Sequence, residues 1–259
     1  MITSTKNAKI KWVRSLQSDS RVRRQQGAFI IEGTRLAEEA SFAGWSAKLV
    51  LYTEGLDARG HNALAKFEAK LVPCELVTES VMRAASDTQN PQGILVVLDI
   101  QPLPIPDTLD FVLIPDSVRD PGNLGGMLRT AAAAGLDAVF IPPGTVDPYA
   151  PKVVRAAMGA HFRVPILERS WDDIETIIKH LQVILASVER STPYYQVDLR
   201  PPVVIIIGGE AEGAGIIAHH LATRLIYIPM PGGAESLNTA VAAGILIFEV
   251  LRQRRVFQE

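Results

Sequence analysis

The chain has 259 residues, 47% of them hydrophobic and 21% charged, and its formal net charge of −2 at pH 7 does not advertise a nucleic-acid partner. The length suits one large domain or two ordinary ones. No apolar run approaches the roughly 20 residues of a membrane-spanning helix, the opening MITSTKNAKIKW lacks the apolar core of a signal peptide, and one cysteine, Cys74, excludes an internal disulfide and a cysteine-cluster metal site. The expectation is a cytoplasmic protein with no membrane partner, in which Cys74 is a small, partly buried thiol.

Residues 1–30 carry Lys6, Lys9, Lys11, Arg14, Arg21, Arg23 and Arg24 against Asp19 alone. Such an arm neutralises phosphates, or it is a solvated helix face. Short apolar runs at 29–31, 48–52 and 94–98 alternate with helical patterns, so residues 1–98 read as a small α/β domain. The stretch 99–110, DIQPLPIPDTLD, holds Pro102, Pro104 and Pro106. Proline at alternate positions removes donors and favours extended backbone, which predicts a linker.

From 111 to 259 the alternation is cleaner. Apolar runs of strand length lie at 111–114, 138–141, 183–186, 203–207 and 225–228, with helical patterns between most of them. Near-continuous Val and Ile suit strands covered on both faces, hence an α/β fold with a mainly parallel sheet. Three of the runs feed loops rich in glycine, proline and polar residues: PDSVRDPGNLGG, GGEAEGAG and PMPGGAESLN. Ligands of open α/β sheets bind beyond the carboxyl ends of strands, so the three loops predict one composite site.

The first loop ends at Asn123, placed to cap a helix over 124–134 that stops at Gly135, with Arg129 two turns inside it. The second has four glycines, which allow close backbone approach to a ligand. Glu210 stands where a dinucleotide fingerprint needs its second glycine, and the lysine of a phosphate-binding loop is absent. Glu210 and Glu212 are acid–base candidates or solvated loop carboxylates. The third loop puts Ser236 and Asn238 at the start of a helix predicted over 237–254, with Ser236 as a possible cap. One apolar stripe of that helix is Leu237, Val241, Gly244, Ile245 and Phe248; another is Ala240, Ala243, Ile247 and Val250. A helix apolar on two sides calls for cover on two sides, and its basic end, RQRR, suits the negative end of the helix dipole.

Taken together, DPGNLGGMLRTAAAAG, IIIGGEAEGAG and IPMPGGAESLNTAVAAG resemble the three motifs of the SpoU/TrmH RNA methyltransferases of the SPOUT class, over residues from about 111 to 255. YAPKVVRAAMGAHFRVPI resembles that family's link after the first motif, with Ala157 where the family often has serine. FIIEGTRLAEEA and TQNPQG resemble its ribosomal-protein-like substrate domain. The resemblance implies a knotted (trefoil) catalytic domain preceded by an RNA-binding domain, and homodimers paired through the catalytic domain. It implies transfer of a methyl group from S-adenosylmethionine to a ribose 2′-hydroxyl, with no metal required. Ribosomal RNA is the first substrate expected and transfer RNA the alternative. The matching positions near the methyl-transfer centre are Asn123, Arg129, Glu210, Ser236 and Asn238. Those of the cofactor loops are Gly208, Gly209, Gly213, Ile228, Met230 and Leu237, with Ser187 after the 183–186 strand. Two rival classes remain: a dinucleotide-dependent oxidoreductase, which the missing fingerprint disfavours, and a catalytically silent RNA-binding protein.

Overall fold

The computed structural model describes residues 1–101, 103–188 and 191–255. Pro102 of the predicted linker and residues 256–259 of the downstream domain lie outside the described residues. In chain order the elements are α1 (Ala8–Ser18), α2 (Ser20–Gln26), β1 (Ala28–Glu32), α3 (Thr34–Phe42), β2 (Ala47–Tyr52), α4 (Ala58–Ala69), β3 (Cys74–Leu76), α5 (Glu79–Ala85) and β4 (Ile94–Asp99). Then follow β5 (Phe111–Asp116), α6 (Pro121–Ala134), β6 (Ala138–Ile141), α7 (Pro151–Ala157), β7 (Ile166–Glu168), α8 (Trp171–Ile178), β8 (Gln182–Ala186) and β9 (Thr192–Pro193). The chain closes with β10 (Val203–Gly208), α9 (Ile216–Leu221), β11 (Arg224–Tyr227) and α10 (Thr239–Arg255). They form two compact units, Met1–Gln101 with Tyr149–Phe162, and Pro102–Pro148 with Arg163–Glu259. Among the described residues no helix is long and apolar enough to cross a membrane.

The first unit has a four-stranded sheet in the order β1-β4-β2-β3. β4 runs antiparallel to β1 and β2, and β3 parallel to β2. The three apolar runs of this region are β1, β2 and β4. β3 has no counterpart among the predicted strands because its residues, Cys-Glu-Leu, form no apolar run and are only half-buried. α1, capped by Asn7, buries Ile10, Val13 and Leu16 in one cluster with Val81 and Met82 of α5 and alternate residues of the sheet. Arg23 departs from the expected basic arm. It is buried, and its guanidinium donates to the carbonyls of Leu16 and Gln17 at the end of α1. Lys9 pairs with Glu75. Cys74 is a free, half-buried thiol; burial, with Glu68 and Glu75 nearby, pushes its pKa up to about 11, which favours the protonated thiol over the nucleophilic thiolate.

The sequence boundary at 99–110 leaves residues 149–162 with the downstream stretch, whereas their packing places them in the first unit. The Tyr149 ring lies 5.1 Å from Phe29, Phe162 meets Trp45 edge-on at 5.1 Å, and Arg155 pairs with Asp87 at 2.9 Å. Aromatic cover of β1 and of the start of β2 therefore comes from a segment far along the chain.

The second unit is a seven-stranded sheet ordered β7-β6-β5-β10-β8-β11-β9, with all neighbouring strands parallel. The five predicted strands are β5, β6, β8, β10 and β11. The two additional strands, β7 and β9, are short edges without an apolar run. Val112, Ile114, Val183, Leu185, Val204 and Ile206 pack in one cluster with Ile174 and Ile178 of α8 and Ala218 of α9. The alternate residues Leu113, Val139, Ile184 and Ile205 are equally buried, with α6 against β5 and α10 against β10. Both faces are covered, which is why the strands read as continuous apolar runs. From β5 the chain passes through α6 to β6 on one side, while β10 lies on the other. The gap between the ends of β5 and β10 is thus a topological switch point, where such sheets bind ligands.

Candidate active site

At the switch point the registers Ile207↔Pro115 and Gly208↔Asp116 bring the ends of β5 and β10 level. The chain then turns at Ser117, which takes a left-handed φ of 58°. Asp116 is buried; its carboxylate accepts from the Gly215 amide at 2.6 Å and from the Ser117 hydroxyl at 3.0 Å. The second loop closes on itself, the Gly209 amide donating to the Gly213 carbonyl at 3.1 Å. Glycine is demanded here by backbone rather than by ligand contact. A Cβ on Gly208 would lie 2.3 Å from the Ala214 nitrogen, and one on Gly209 would lie 2.1 Å from the Ser117 carbonyl oxygen.

Two caps differ from the sequence expectation. α6 begins at Pro121, and Asp120 is its cap, accepting from the Asn123 amide at 2.8 Å. Proline is preorganised for a first helical position, so the helix starts earlier and the side chain of Asn123 is released from capping. α10 begins at Thr239, and its cap is Asn238 rather than Ser236, with Asn238 Oδ1 accepting from the amides of Ala240 and Val241.

The released groups join the three loops. Asn238 Nδ2 donates to Asn123 Oδ1 at 2.8 Å, and Asn123 Nδ2 donates to Glu210 Oε1 at 2.7 Å. Glu210 also accepts from the Arg119 amide at 3.4 Å and the Thr239 hydroxyl at 3.4 Å. Burial pulls the Glu210 pKa upward. The bonds from the Asn123 side chain, the backbone amides of Glu210 and Arg119, and Thr239 outweigh it, so the carboxyl titrates below its ordinary 4.5. It is an anion at neutral pH and a weak base.

These loops wall a cavity of about 750 Å³, within the roughly 300–1,000 Å³ of small-molecule sites. Ser187, Gly208, Gly209, Gly213, Ile228, Met230 and Leu237 line it, as do Glu210, Ser236 and Asn238. Asn123 stands behind the lining, bonded to Glu210 and Asn238. Arg129 lies apart: exposed on α6, outside the lining, with no hydrogen bond or ion pair among the described residues. Sequence reasoning missed Asp116, Asp120 and Thr239. The available signal was a carboxylate directly ending an apolar strand run, and one directly before a proline that opens a helix.

A glycine-walled cavity at the switch point of a parallel sheet defines an α/β protein built to bind a small molecule. A family model for the SpoU rRNA Methylase family matches residues 110–248, and one for an MRM3-like substrate binding domain matches residues 7–96. The 23S rRNA (guanosine(2553)-2′-O)-methyltransferase RlmP of Bacillus subtilis is 32% identical over 96% of this chain and 98% of its own. The mitochondrial rRNA methyltransferase 3A of Danio rerio is 33% identical over 93% of this chain and 67% of its own. Among solved structures, an AdoMet-bound rRNA methyltransferase from Sinorhizobium meliloti is 31% identical, with a TM-score of 0.87 over 100% of this chain and 98% of its own. The chain belongs to the SpoU rRNA methylase family.

Proposed function

We propose that this protein transfers the methyl group of S-adenosylmethionine to a ribose 2′-hydroxyl of ribosomal RNA. The observation that carries this reading is the hydrogen-bonded chain Asn238–Asn123–Glu210 at the wall of the glycine cavity, in a member of a family whose relatives are named for that reaction on ribosomal RNA. The cavity fits the cofactor. Backbone at Gly208 and Gly209 leaves no room for side chains, so amides and carbonyls are presented directly, while Ile228, Met230 and Leu237 supply apolar cover.

When bound, the cofactor supplies an electrophilic methyl group, and the protein's task is chiefly alignment. Asn123, Glu210 and Asn238 brace the three loops, their donors and acceptors already engaged with one another. Glu210, held as an anion by those bonds, positions rather than takes a proton. Ser236 presents a hydroxyl at the cavity that would accept a hydrogen bond from the ribose 2′-hydroxyl, and the proton released on methyl transfer would pass to water. Arg129 would clamp an RNA phosphate and so hold the substrate ribose in place for the transfer. A guanidinium is a donor that stays protonated above pH 12, and a neighbouring phosphate favours its charged form further.

The same reading assigns residues 1–98 to substrate RNA and 111–259, apart from the segment 149–162 that packs in the first unit, to catalysis, with 99–110 as linker, a trefoil knot around the cofactor loops, and the cytoplasm as the place of action. It makes the protein a homodimer. α10 buries Ala243, Leu246, Ile247 and Val250, whereas Val241 and Phe248 on its other apolar stripe are each 51% exposed. A second subunit covers that stripe. The test is methyl transfer in vitro from labelled S-adenosylmethionine to unmodified ribosomal RNA, with the product mapped for 2′-O-methylation. Label on a base, or none at all, would overturn the reading.

A further inference from the structure

Several cations of the first unit already have partners. Arg35, Lys48, Arg59 and Arg155 are paired with Glu39, Asp99, Glu38 and Asp87. Lys66 stands over the Phe42 ring. On α1 and α2, Lys9 is paired and Arg23 is buried against backbone carbonyls. Lys11, Arg14 and Arg21 are exposed, with no ion pair among the described residues, as are Lys6, Lys70, Arg83 and Lys152 elsewhere in the unit; α1 and α2 stand out by gathering three such cations on two successive helices. Neither helix contains an acidic residue. Asp19 between them is the cap of α2, accepting from the Arg21 amide at 2.8 Å.

We infer that the outward face of α1 and α2 is a phosphate track for the RNA substrate, formed by Lys11, Arg14 and Arg21. The inference rests on the proposed RNA substrate and deepens it. Lys11 and Arg14, three residues apart, share one side of α1, opposite Ile10, Val13 and Leu16, which are buried. Helix pairing rules normally set acids three or four residues from such cations, and here none is present. Uncompensated positive charge in a chain of net charge −2 is stabilised by a polyanion that brings its own negative charge. Ser18, Gln25 and Gln26 of the two helices are exposed as well, and no large hydrophobic residue of α1 or α2 is exposed. That composition suits a sugar-phosphate backbone. A membrane surface would need an apolar stripe, and a protein partner an aromatic or aliphatic anchor.

The experiment compares three full-length proteins binding an unmodified 23S ribosomal RNA transcript between 50 and 200 mM salt. They are the wild type, the triple variant Lys11→Gln/Arg14→Gln/Arg21→Gln, and a control, Lys48→Gln/Arg59→Gln/Lys66→Gln, which loses equal charge from cations that already have partners. Each phosphate contact contributes about 0.7 to 0.9 to the slope of log affinity against log salt. Over this fourfold change the wild type is therefore expected to lose roughly 20- to 40-fold more affinity than the track variant. The control should follow the wild type, and affinity for S-adenosylmethionine should be equal in all three. An unchanged slope in the track variant, or an equal loss in the control, would overturn the inference. Failure of the wild type to methylate the RNA would instead overturn the proposed function.

Discussion

Replacing Gly208 with alanine tests how the cavity is made. The added Cβ would lie 2.3 Å from the Ala214 nitrogen and 2.5 Å from the Gly213 carbonyl carbon. Ordinary contact begins near 3.4 Å, so the two limbs of the loop must separate by about 1 Å, and both partners are backbone. Two hydrogen bonds lie in the path of that movement: Gly209 amide to Gly213 carbonyl at 3.1 Å, and Gly215 amide to the Asp116 carboxylate at 2.6 Å. The first is worth about 0.5–1.5 kcal/mol and the second, to a charged acceptor, about 1.5–3 kcal/mol. Their loss from the binding-competent loop amounts to about 2–4.5 kcal/mol, or on the order of 30- to 2,000-fold in cofactor affinity. The loop stands at the sheet's end, outside the packed cluster of β5 and β10, so the fold should persist. Calorimetric titration with S-adenosylmethionine, beside a thermal melt, reads both quantities. A folded Gly208→Ala protein with wild-type affinity would show that the close approach at Gly208 does not shape the site.

Arg129→Lys keeps the charge and loses the planar fork; single-turnover methyl transfer at saturating RNA should stay severely impaired at every pH. A steep rise toward the lysine pKa of about 10.4 would identify position 129 as a base instead. Glu210 has a depressed pKa, so its ordering of the loops is fully present above 4.5 and is lost as pH falls through the lower folded value. Cofactor affinity should therefore fall in that acid range for the wild type. In Glu210→Gln it should be lower at neutral pH, by about five- to tenfold as charged bonds become neutral, and flat with acid. Phe248→Asp should convert a dimer to monomer in sedimentation at micromolar concentration, and a wild type that is itself monomeric removes the case for pairing through α10. Arg23→Ala leaves two carbonyls at the end of α1 without their donor and should cost about 2–4 kcal/mol in urea unfolding, unlike the exposed Arg21→Ala, which should change stability by less than about 0.5 kcal/mol.

The particular residues explain how far the sequence could be read. The joint site of the three loops was reachable because loops after apolar strand runs have a known place in a parallel sheet, whereas the seven lining residues from Ser187 to Leu237 were named only by the likeness of their motifs to the family's. Arg23 was not: its charge reads as solvent-facing, and only the approach of α2 to the end of α1 shows it satisfying backbone carbonyls. Asn123 was assigned a cap because the nearer competitor, Asp120, sits before a proline that reads as part of the loop.

Local chemistry is enough to mark the five strands of the second unit that carry apolar runs, the stop of α6 at Gly135, the three loops and the family likeness. Apolar period, turn residues and motif spacing are properties of neighbours in the chain, and they need no distant partner to be legible. Long-range packing decided that residues 149–162 cover Phe29 and Trp45, that β7 and β9 extend the sheet, and that Asp116 holds Gly215. It also decided that Asn238, Asn123 and Glu210 form one hydrogen-bonded chain across loops 115 and 87 residues apart. Each of these depends on long-range contact between groups whose local pattern is silent. A short edge strand carries no apolar run, and a buried carboxylate or amide reveals its role only through the donor that the fold brings to it.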